Sequence, residues 1–176
     1  ELLCLDPPRV SRIGTLAGAR GGWCRGLLAP DGRIYCPPSG SQNVLCIDPA
    51  GGAVAAFGAV EPGPRKWSCG VLARNQRIYC VPYASQSVLR VDPSSWTVSA
   101  FGGFEQVEGA AKWSAGVLAR DGKIYCVPAS AHTVLCVDPV MDVASCFSTL
   151  SGLPRKWSCG VLAPNGRIYC VPGDAE

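Results

Sequence analysis

The sequence contains few of the residues that enzyme active sites commonly use. It has a single histidine, His132, and only 16% of its residues are charged. It also lacks the GxSxG and HExxH motifs, a phosphate-binding loop, and any pair of cysteines at CxxC spacing. A lone histidine in the loop ASAHT gives little support for acid–base catalysis. We therefore predict no catalytic residue, no metal site and no cofactor.

Long hydrophobic runs are missing as well. No apolar stretch approaches the roughly 18 residues that a membrane-spanning helix needs. The first residues, ELLCLDPPRV, lack a basic segment followed by an apolar one, so we expect no signal peptide. The net charge of +3 is too small to indicate nucleic acid by itself. Membranes and specific nucleic-acid sequences are therefore not among the expected partners.

What the sequence does contain is one segment repeated four times. Tryptophans recur at spacings of 44, 46 and 44, at Trp23, Trp67, Trp113 and Trp157. Asp-Pro pairs recur at spacings of 42, 44 and 46, beginning at Asp6, Asp48, Asp92 and Asp138. One period reads WSCGVLA, a turn, RIYCVP, a polar loop, VLCVDP, a second turn and TVSAF. A period of roughly 40 to 45 residues is typical of β-propeller blades.

Each period divides into four short segments with the features of β-strands. The turns PDG, RNQ, RDG and PNG separate the first two segments and contain Gly or Asn, which tolerate a positive φ. The third segment ends at Asp-Pro, where proline cannot continue a central strand. The segments GVLA and IYCV are apolar at consecutive positions, which indicates that both faces of the sheet are covered. A blade packed between two neighbouring blades has this property.

The two ends of the sequence are complementary parts of one period. The last repeat stops after VPGDAE, and the chain opens with a third segment, ELLCLDP, and a fourth, RIGTLAG. Joined, VPGDAE and ELLCLDP match VPYASQSVLRVDP in length. We predict an all-β fold: a four-bladed β-propeller with four antiparallel strands per blade, whose last blade is closed by strands from both termini. The alternative is half of an eight-bladed propeller.

This interpretation makes residues 1–176 a single propeller domain. Its predicted blades are residues 19–63 for blade 1, 64–109 for blade 2, 110–155 for blade 3, and 1–18 plus 156–176 for blade 4. A four-bladed ring would be a monomer. The larger ring would form either from two chains, as a dimer, or within a longer protein of which this chain is a fragment.

The repeat resembles the β-propeller repeats of the YVTN, NHL and kelch-like class. More closely, it is similar to tandem repeats of the form KWxGGVLAPNGKIYCVP…VLxIDP…VxTFG in uncharacterised algal and microbial proteins. The likeness covers the whole chain, with Lys-Trp pairs that begin at Lys66, Lys112 and Lys156. The first repeat departs from it, because Gly22 stands where lysine is expected. The resemblance implies a propeller but no activity, since one fold supports many functions.

Cysteines occupy repeated positions within the predicted strands. There are eleven, of which Cys36, Cys80, Cys126 and Cys170 share the IYC position and Cys4, Cys46 and Cys136 share the VLC position. Arg90 and Ala115 replace cysteine in single repeats, which argues against regular disulfides, and spacings of 10 or 11 within a repeat do not suit zinc. We predict buried free thiols between blades, and hence an intracellular, reducing compartment.

Basic residues recur beside the tryptophans, in loops predicted to share one face. We predict that these cations form a ligand-binding set around the channel mouth: Arg20, Arg65, Lys66, Lys112, Arg155 and Lys156. Converging positive charge would attract an anion or an acidic partner. The tryptophans are predicted to pack between blades, with a stacking platform for sugars or bases as the alternative. On the other face, the basic residues after the first turns are expected to pair with aspartates: Arg33, Arg77, Lys123 and Arg167.

Three functions are open at this point. The favoured one is a non-catalytic scaffold that binds a protein or a small anionic ligand at the Lys/Arg–Trp face. The second is a structural repeat that associates with copies of itself or with neighbouring domains. The third is a hydrolase or lyase of the propeller type, for which Glu61, Glu105 and Glu108 would supply a one-sided acidic cluster.

Overall fold

The residues that the structure describes form sixteen β-strands, which are joined in antiparallel pairs. The computed structural model describes residues 2–14, 16, 22–107, 111–150 and 154–174, and these residues contain no helix. It follows that they include no helical segment with the length and apolarity needed to cross a membrane. Within this described part of the chain, three sheets have four strands and two sheets have two strands. The all-β, propeller-type fold predicted from the repeats is confirmed.

Each four-stranded sheet is one complete blade, with its strands in chain order. Blade 1 consists of β3 (Leu27–Leu28), β4 (Ile34–Cys36), β5 (Val44–Asp48) and β6 (Ala53–Phe57). Blade 2 consists of β7 (Trp67–Leu72), β8 (Ile78–Pro82), β9 (Val88–Asp92) and β10 (Thr97–Phe101). Blade 3 consists of β11 (Trp113–Leu118), β12 (Ile124–Pro128), β13 (Val134–Asp138) and β14 (Val143–Phe147).

The two-stranded sheets are half-blades at the two ends of the chain. The N-terminal half-blade pairs β1 (Leu2–Asp6) with β2 (Arg9–Ile13), the third and fourth strands of a repeat. The C-terminal half-blade pairs β15 (Trp157–Leu162) with β16 (Ile168–Pro172), the first and second strands.

The predicted union of the half-blades into one sheet is not formed among the described residues. Strand β1 pairs with β2 and β15 pairs with β16, and no ladder joins β16 to β1. Each half-blade is instead held by the complete blade next to it. Leu2 and Ile13 pack against a buried cluster of blade 1 that consists of Cys36, Leu45 and Ile47, and β15 packs on β11 of blade 3. The predicted junction includes residues 1, 175 and 176, which lie outside the described residues.

A tight turn joins the first two strands of each repeat. In blade 1, the Ala29 amide donates to the Arg33 carbonyl at 2.8 Å and the Gly32 amide donates to the Ala29 carbonyl at 3.0 Å. Gly32 takes a φ of 80°, which glycine adopts without a steric penalty. In blade 2 the equivalent residue is Gln76, with a φ of 64°. The expectation that Gly or Asn supplies the positive φ is therefore wrong in this repeat.

The core lies between blades rather than within any one of them. Between blades 1 and 2, one cluster joins Tyr35, Val44 and Phe57 to Ile78 and Leu89. Consecutive apolar residues of a strand are thus buried against two different neighbours, as the sequence pattern predicts.

Glycines in the innermost strands set how closely two blades approach. A Cβ atom on Gly116 would lie 2.7 Å from methyl groups of both Val71 and Val81 in the preceding blade. Gly160 meets Val117 and Val127 in the same way, at 3.1 and 2.7 Å. The valine pair of one blade therefore packs directly on the glycine backbone of the next.

Candidate ligand-binding face

The Lys–Trp face is formed by the loop that precedes each tryptophan and the loop after the second strand of each blade. Backbone hydrogen bonds bring these loops together. The Lys66 amide donates to the Ser39 carbonyl at 3.0 Å, and the Tyr83 amide donates to the Lys66 carbonyl at 2.9 Å. The same arrangement recurs one blade later, where the Lys112 amide donates to Tyr83 at 2.9 Å.

The lysines of this face are not the solvent-facing cations expected from the sequence. Lys66, Lys112 and Lys156 are 5%, 1% and 1% exposed. The Lys66 ammonium donates to the carbonyls of Ser41 at 2.8 Å and Gly63 at 3.0 Å, and the Lys156 ammonium donates to Ala131 at 3.0 Å. Burial lowers the pKa of all three ammonium groups. The lysines therefore tie two loops together, because a buried ammonium needs acceptors.

The tryptophans bind the loop between the second and third strands of their own blade. The indole N–H of Trp67 donates to the Ser87 carbonyl at 2.9 Å, and that of Trp113 donates to Thr133 at 2.9 Å. Both rings are buried, at 4% and 0% exposed. The Lys66 ammonium lies 5.8 Å from the centre of the Trp67 ring. These rings therefore pack within the protein and offer no open stacking surface.

The arginines of the predicted set differ from the lysines. Arg65 and Arg155 are exposed and occupy the left-handed region, with φ of 48° and 50°. Arg155 lies 4.0 Å from a carboxylate oxygen of Asp174, an exposed pair. Arg20, the remaining member, lies outside the described residues. The structure thus separates the predicted set into buried lysines and exposed arginines.

Two cavities on this face share Trp67 in their linings. The smaller one, about 320 Å³, is lined by Cys24, Ser39, Arg65, Ser68 and Tyr83 in addition to Trp67. The larger one, about 600 Å³, has a mostly apolar lining that includes Val60, Pro62, Pro64 and Leu89. Arg65 is the charged group in the lining of the smaller cavity.

Cys24 sits in the smaller cavity as a protonated thiol. Burial raises its pKa to about 11, and its Sγ donates a hydrogen bond to the Trp67 carbonyl. A thiol with a raised pKa is a poor nucleophile at neutral pH, because the thiolate is the reactive form. All eleven cysteines are free. Cys36, Cys46, Cys80 and Cys126 are buried between strands.

The opposite face carries the expected pairs of basic residues and aspartates. Nitrogen–oxygen distances are 3.7 Å for Arg33–Asp48, 2.9 Å for Arg77–Asp92 and 3.3 Å for Lys123–Asp138. Each pair joins the start of a second strand to the end of a third, so its role is to fix the blade.

Two contacts on this opposite face were not found from the sequence. Trp96 packs on Phe57 of the preceding blade, with ring centres 4.8 Å apart, and the Arg33 guanidinium lies 5.5 Å from its centre. Asp142 of blade 3 forms an ion pair with Arg90 of the preceding blade. Trp96 and Asp142 occupy the same position of the second turn, each with a positive φ. The sequence feature that could have indicated these contacts is that Trp96 and Asp142 each differ from the residues at the same position of the other repeats.

The residues considered for catalysis are only partly among those that the structure describes. His132 is exposed and lines a cavity of about 190 Å³ with Gln106, Val107 and Thr133. Glu108 of the suggested acidic cluster lies outside the described residues. Over the described ranges, no three His, Cys, Asp or Glu side chains are grouped so that they could hold a metal ion.

Antiparallel blades that bury their faces against one another place the protein in the β-propeller class. No family model matches the chain, and no curated protein sequence matches it. The fold is similar to virginiamycin B lyase from Staphylococcus aureus, with a TM-score of 0.68 and 12% identity over 98% of this chain and 62% of that chain. A protein from Lactobacillus plantarum gives a TM-score of 0.66 and 13% identity over 94% and 54%.

A third similar structure is the extracellular domain of a one component system from B. thetaiotaomicron. Its TM-score is 0.66, with 12% identity over 85% of this chain and 19% of that chain. The chain thus spans less than two thirds of each of these proteins. At such identities the likeness shows the fold and no activity. The superposition on virginiamycin B lyase includes 98% of this chain and 62% of the lyase. The fold of nearly the whole chain, rather than of one blade, is therefore similar to part of that longer protein.

Proposed function

We propose that the protein is a non-catalytic β-propeller scaffold that binds an acidic segment of a partner protein on the Lys–Trp face. The observation that carries this proposal is the position of Arg65, whose exposed side chain lines the smaller cavity beside Trp67. An exposed guanidinium beside a cavity recognises a carboxylate through paired N–H donors.

The other residues of the smaller cavity suit the same ligand. Ser39, Ser68 and Tyr83 bring hydroxyl groups to the lining. Hydroxyls donate hydrogen bonds to carboxylate oxygens or accept them from a peptide N–H. The buried Lys66 supports this site by fixing the loops on either side of it.

The larger cavity favours a peptide over a small inorganic anion. Its lining is mostly apolar, and it shares Trp67 with the lining of the smaller cavity. A segment with a carboxylate over Arg65 and an apolar side chain beyond Trp67 would fill both cavities. Apolar anchors with a few placed polar groups are typical of such binding sites.

Fluorescence anisotropy with a labelled peptide of alternating glutamate and leucine tests the proposal. The substitution Arg65→Glu is expected to weaken binding about tenfold or more, because it places a like charge opposite the ligand. Leucine-free polyglutamate should bind more weakly than the alternating peptide. Competition by inorganic phosphate alone would identify a small-anion site.

Arg74→Glu is the matched control. Arg74 is also exposed, but it lies on the opposite face, where it donates to the Arg120 carbonyl. Both substitutions change the net charge equally. If both substitutions weaken peptide binding to the same extent, the attraction depends on the total charge of the protein and the proposed site is wrong.

A further inference from the structure

We propose that a cavity on the face opposite the Lys–Trp face binds a small neutral sugar. The cavity has a volume of about 580 Å³ and lies where the first turns of blades 1 and 2 meet the second turn of blade 2. Its volume is within the range of ordinary small-molecule sites. This inference does not depend on peptide binding at the Lys–Trp face, because the cavities of the two faces share no lining residue.

The next blade boundary shows how the protein itself can bridge this position. Between blades 2 and 3, the side-chain amide of Asn75 donates to the Pro139 carbonyl at 2.9 Å. The Tyr79 hydroxyl donates to the Asp142 carboxylate at 2.8 Å. The first turn of blade 2 is therefore tied directly to the second turn of blade 3.

Asp31 leaves the first of these ties unmade between blades 1 and 2. It occupies the repeat position of Asn75, but its carboxylate has no N–H to offer the carbonyl of Pro93, which is the equivalent of Pro139. The Asp31 carboxylate instead accepts a hydrogen bond of 2.8 Å from the Tyr35 hydroxyl of its own blade. Asp31 and Pro93 thus line the cavity from two blades, and each brings an acceptor that a ligand hydroxyl can reach.

Arg33 supplies donors to the same cavity. Its guanidinium nitrogens lie 3.7 Å from Asp48 and 3.9 Å from Asp31, and both distances are longer than a hydrogen bond. In blade 2, the equivalent Arg77 lies 2.9 Å from Asp92. The Arg33 guanidinium therefore keeps N–H groups for a ligand, whereas Arg77 is already paired within its blade.

Trp96 forms the apolar part of the lining. It is 38% exposed, although its ring packs on Phe57 with centres 4.8 Å apart. The indole N–H groups of Trp67 and Trp113 donate to backbone carbonyls, whereas no described residue accepts that of Trp96. Trp96 therefore offers a ligand both exposed apolar surface and an N–H donor.

The charges of the lining favour a neutral ligand. Arg33 and Arg77 are balanced by Asp31 and Asp92. An anion would meet two carboxylates and a cation would meet two guanidinium groups, so neither gains a net attraction. A hydroxyl group both donates and accepts, so neighbouring hydroxyls of one ring can bond to Asp31 and Arg33 together. A sugar combines such hydroxyls with C–H groups that suit the exposed surface of Trp96.

Saturation-transfer difference NMR, which detects weak binding, tests the inference with six neutral sugars: glucose, galactose, mannose, maltose, cellobiose and lactose. At least one of them should bind the 176-residue chain. Glucosamine and glucuronate carry a positive and a negative charge on the same ring as glucose. Neither should bind more tightly than the best neutral sugar.

Asp31→Asn should weaken sugar binding about tenfold or more, because the new amide can donate to Pro93 as Asn75 does to Pro139. Asp121→Asn is the matched control. Asp121 accepts the hydroxyl of Tyr125 at 2.8 Å, as Asp31 accepts that of its own tyrosine, but it does not line this cavity. The control should bind the sugar as the wild type does.

Trp96→Gly should also weaken binding about tenfold or more, since it removes the apolar surface. Gly52 holds the same turn position in blade 1, with a φ of 62° against 56° for Trp96, so glycine suits this turn. The inference is overturned if none of the six sugars binds or if a charged analogue binds more tightly. It is also overturned if Asp121→Asn weakens binding as much as Asp31→Asn, or if Trp96→Gly leaves binding unchanged. Arg65 takes part in none of these measurements, so their failure would leave the peptide site standing.

Discussion

Arg90 on β9 forms an ion pair with Asp142, which lies in the second turn of the following blade. Asp142 also accepts a hydrogen bond of 2.8 Å from the Tyr79 hydroxyl. The aspartate takes a φ of 52°, which aims its carboxylate back at blade 2. Arg90 occupies the position that Cys46 has in blade 1 and Cys136 has in blade 3. Among the complete blades, this ion pair therefore forms only at the boundary between blades 2 and 3.

Asp142→Ala should destabilise the fold by about 1 to 3 kcal/mol, because it removes the carboxylate that pairs with Arg90 and accepts a hydrogen bond from the Tyr79 hydroxyl. Urea unfolding followed by circular dichroism measures this loss. In a double-mutant cycle with Arg90→Ala, the coupling energy should exceed about 0.5 kcal/mol. Met141→Ala, at an exposed neighbouring position, should change stability little. Additive effects of the Arg90 and Asp142 substitutions would contradict a stabilising interaction between these two side chains.

Lys66→Met should cost more stability than Lys112→Met. The Lys66 ammonium makes hydrogen bonds of 2.8 and 3.0 Å, whereas that of Lys112 is 3.4 and 3.5 Å from its carbonyl acceptors. Hydrogen bonds to a charged group contribute about 1.5 to 3 kcal/mol when their geometry is good. Thermal unfolding of the two variants side by side provides the comparison. Equal losses would mean that the two ammonium groups are held equally well.

Gly116→Ala should destabilise the fold by about 1 to 3 kcal/mol, because the added methyl overlaps Val71 and Val81 in a tightly packed interface. Gly22→Ala serves as the control, since nothing lies within 4 Å of a Cβ atom at that position. Denaturant midpoints of the two variants give the measurement. If Gly22→Ala is the more damaging substitution, backbone freedom matters more than blade spacing.

Acid should weaken the fold through the aspartates that end the third strands. The Ser94 hydroxyl lowers the pKa of Asp92, and the Val140 amide lowers the pKa of Asp138. A lowered native pKa stabilises the fold above the ordinary carboxyl pKa of about 4, and that stability is lost as pH falls through the native pKa. Urea midpoints measured below neutral pH should therefore fall as the solution becomes acidic.

Asp92→Asn supplies the matched test of this pH dependence. Asparagine keeps the size of the side chain and part of its hydrogen bonding but does not titrate. The variant should be less stable than the wild type near neutral pH, and the difference should narrow in acid. A constant difference across the range would show that ionisation of Asp92 does not contribute.

Local chemistry explains which features the sequence predicted correctly. Asp-Pro ends each third strand because proline cannot donate to the next ladder position. Gly32, Gly122 and Gly166 close three of the first turns because glycine accepts a positive φ, whereas Gln76 takes this position in blade 2. Each of these features depends on a few adjacent residues, so it can be recognised wherever the repeat occurs.

The predictions from the sequence failed where contacts between residues far apart in the chain determine the structure. Lysine beside tryptophan indicates a surface cation in sequence terms, yet Lys66 is buried because loops from two blades close over it. The pairing of β16 with β1 has the right length and register in the sequence. Whether the two strands meet within one chain depends on how each blade is turned against the next.

The sequence by itself determined the strands, their turns and the antiparallel blades, because each is specified within one period of the repeat. The tertiary structure decided which cations face solvent and which strands of different repeats pack together. Both depend on contacts between periods, such as those made by Asp142 and Trp96, which the repeat does not encode. Packing between blades therefore separates the exposed Arg65 from the buried Lys66, its neighbour in the chain.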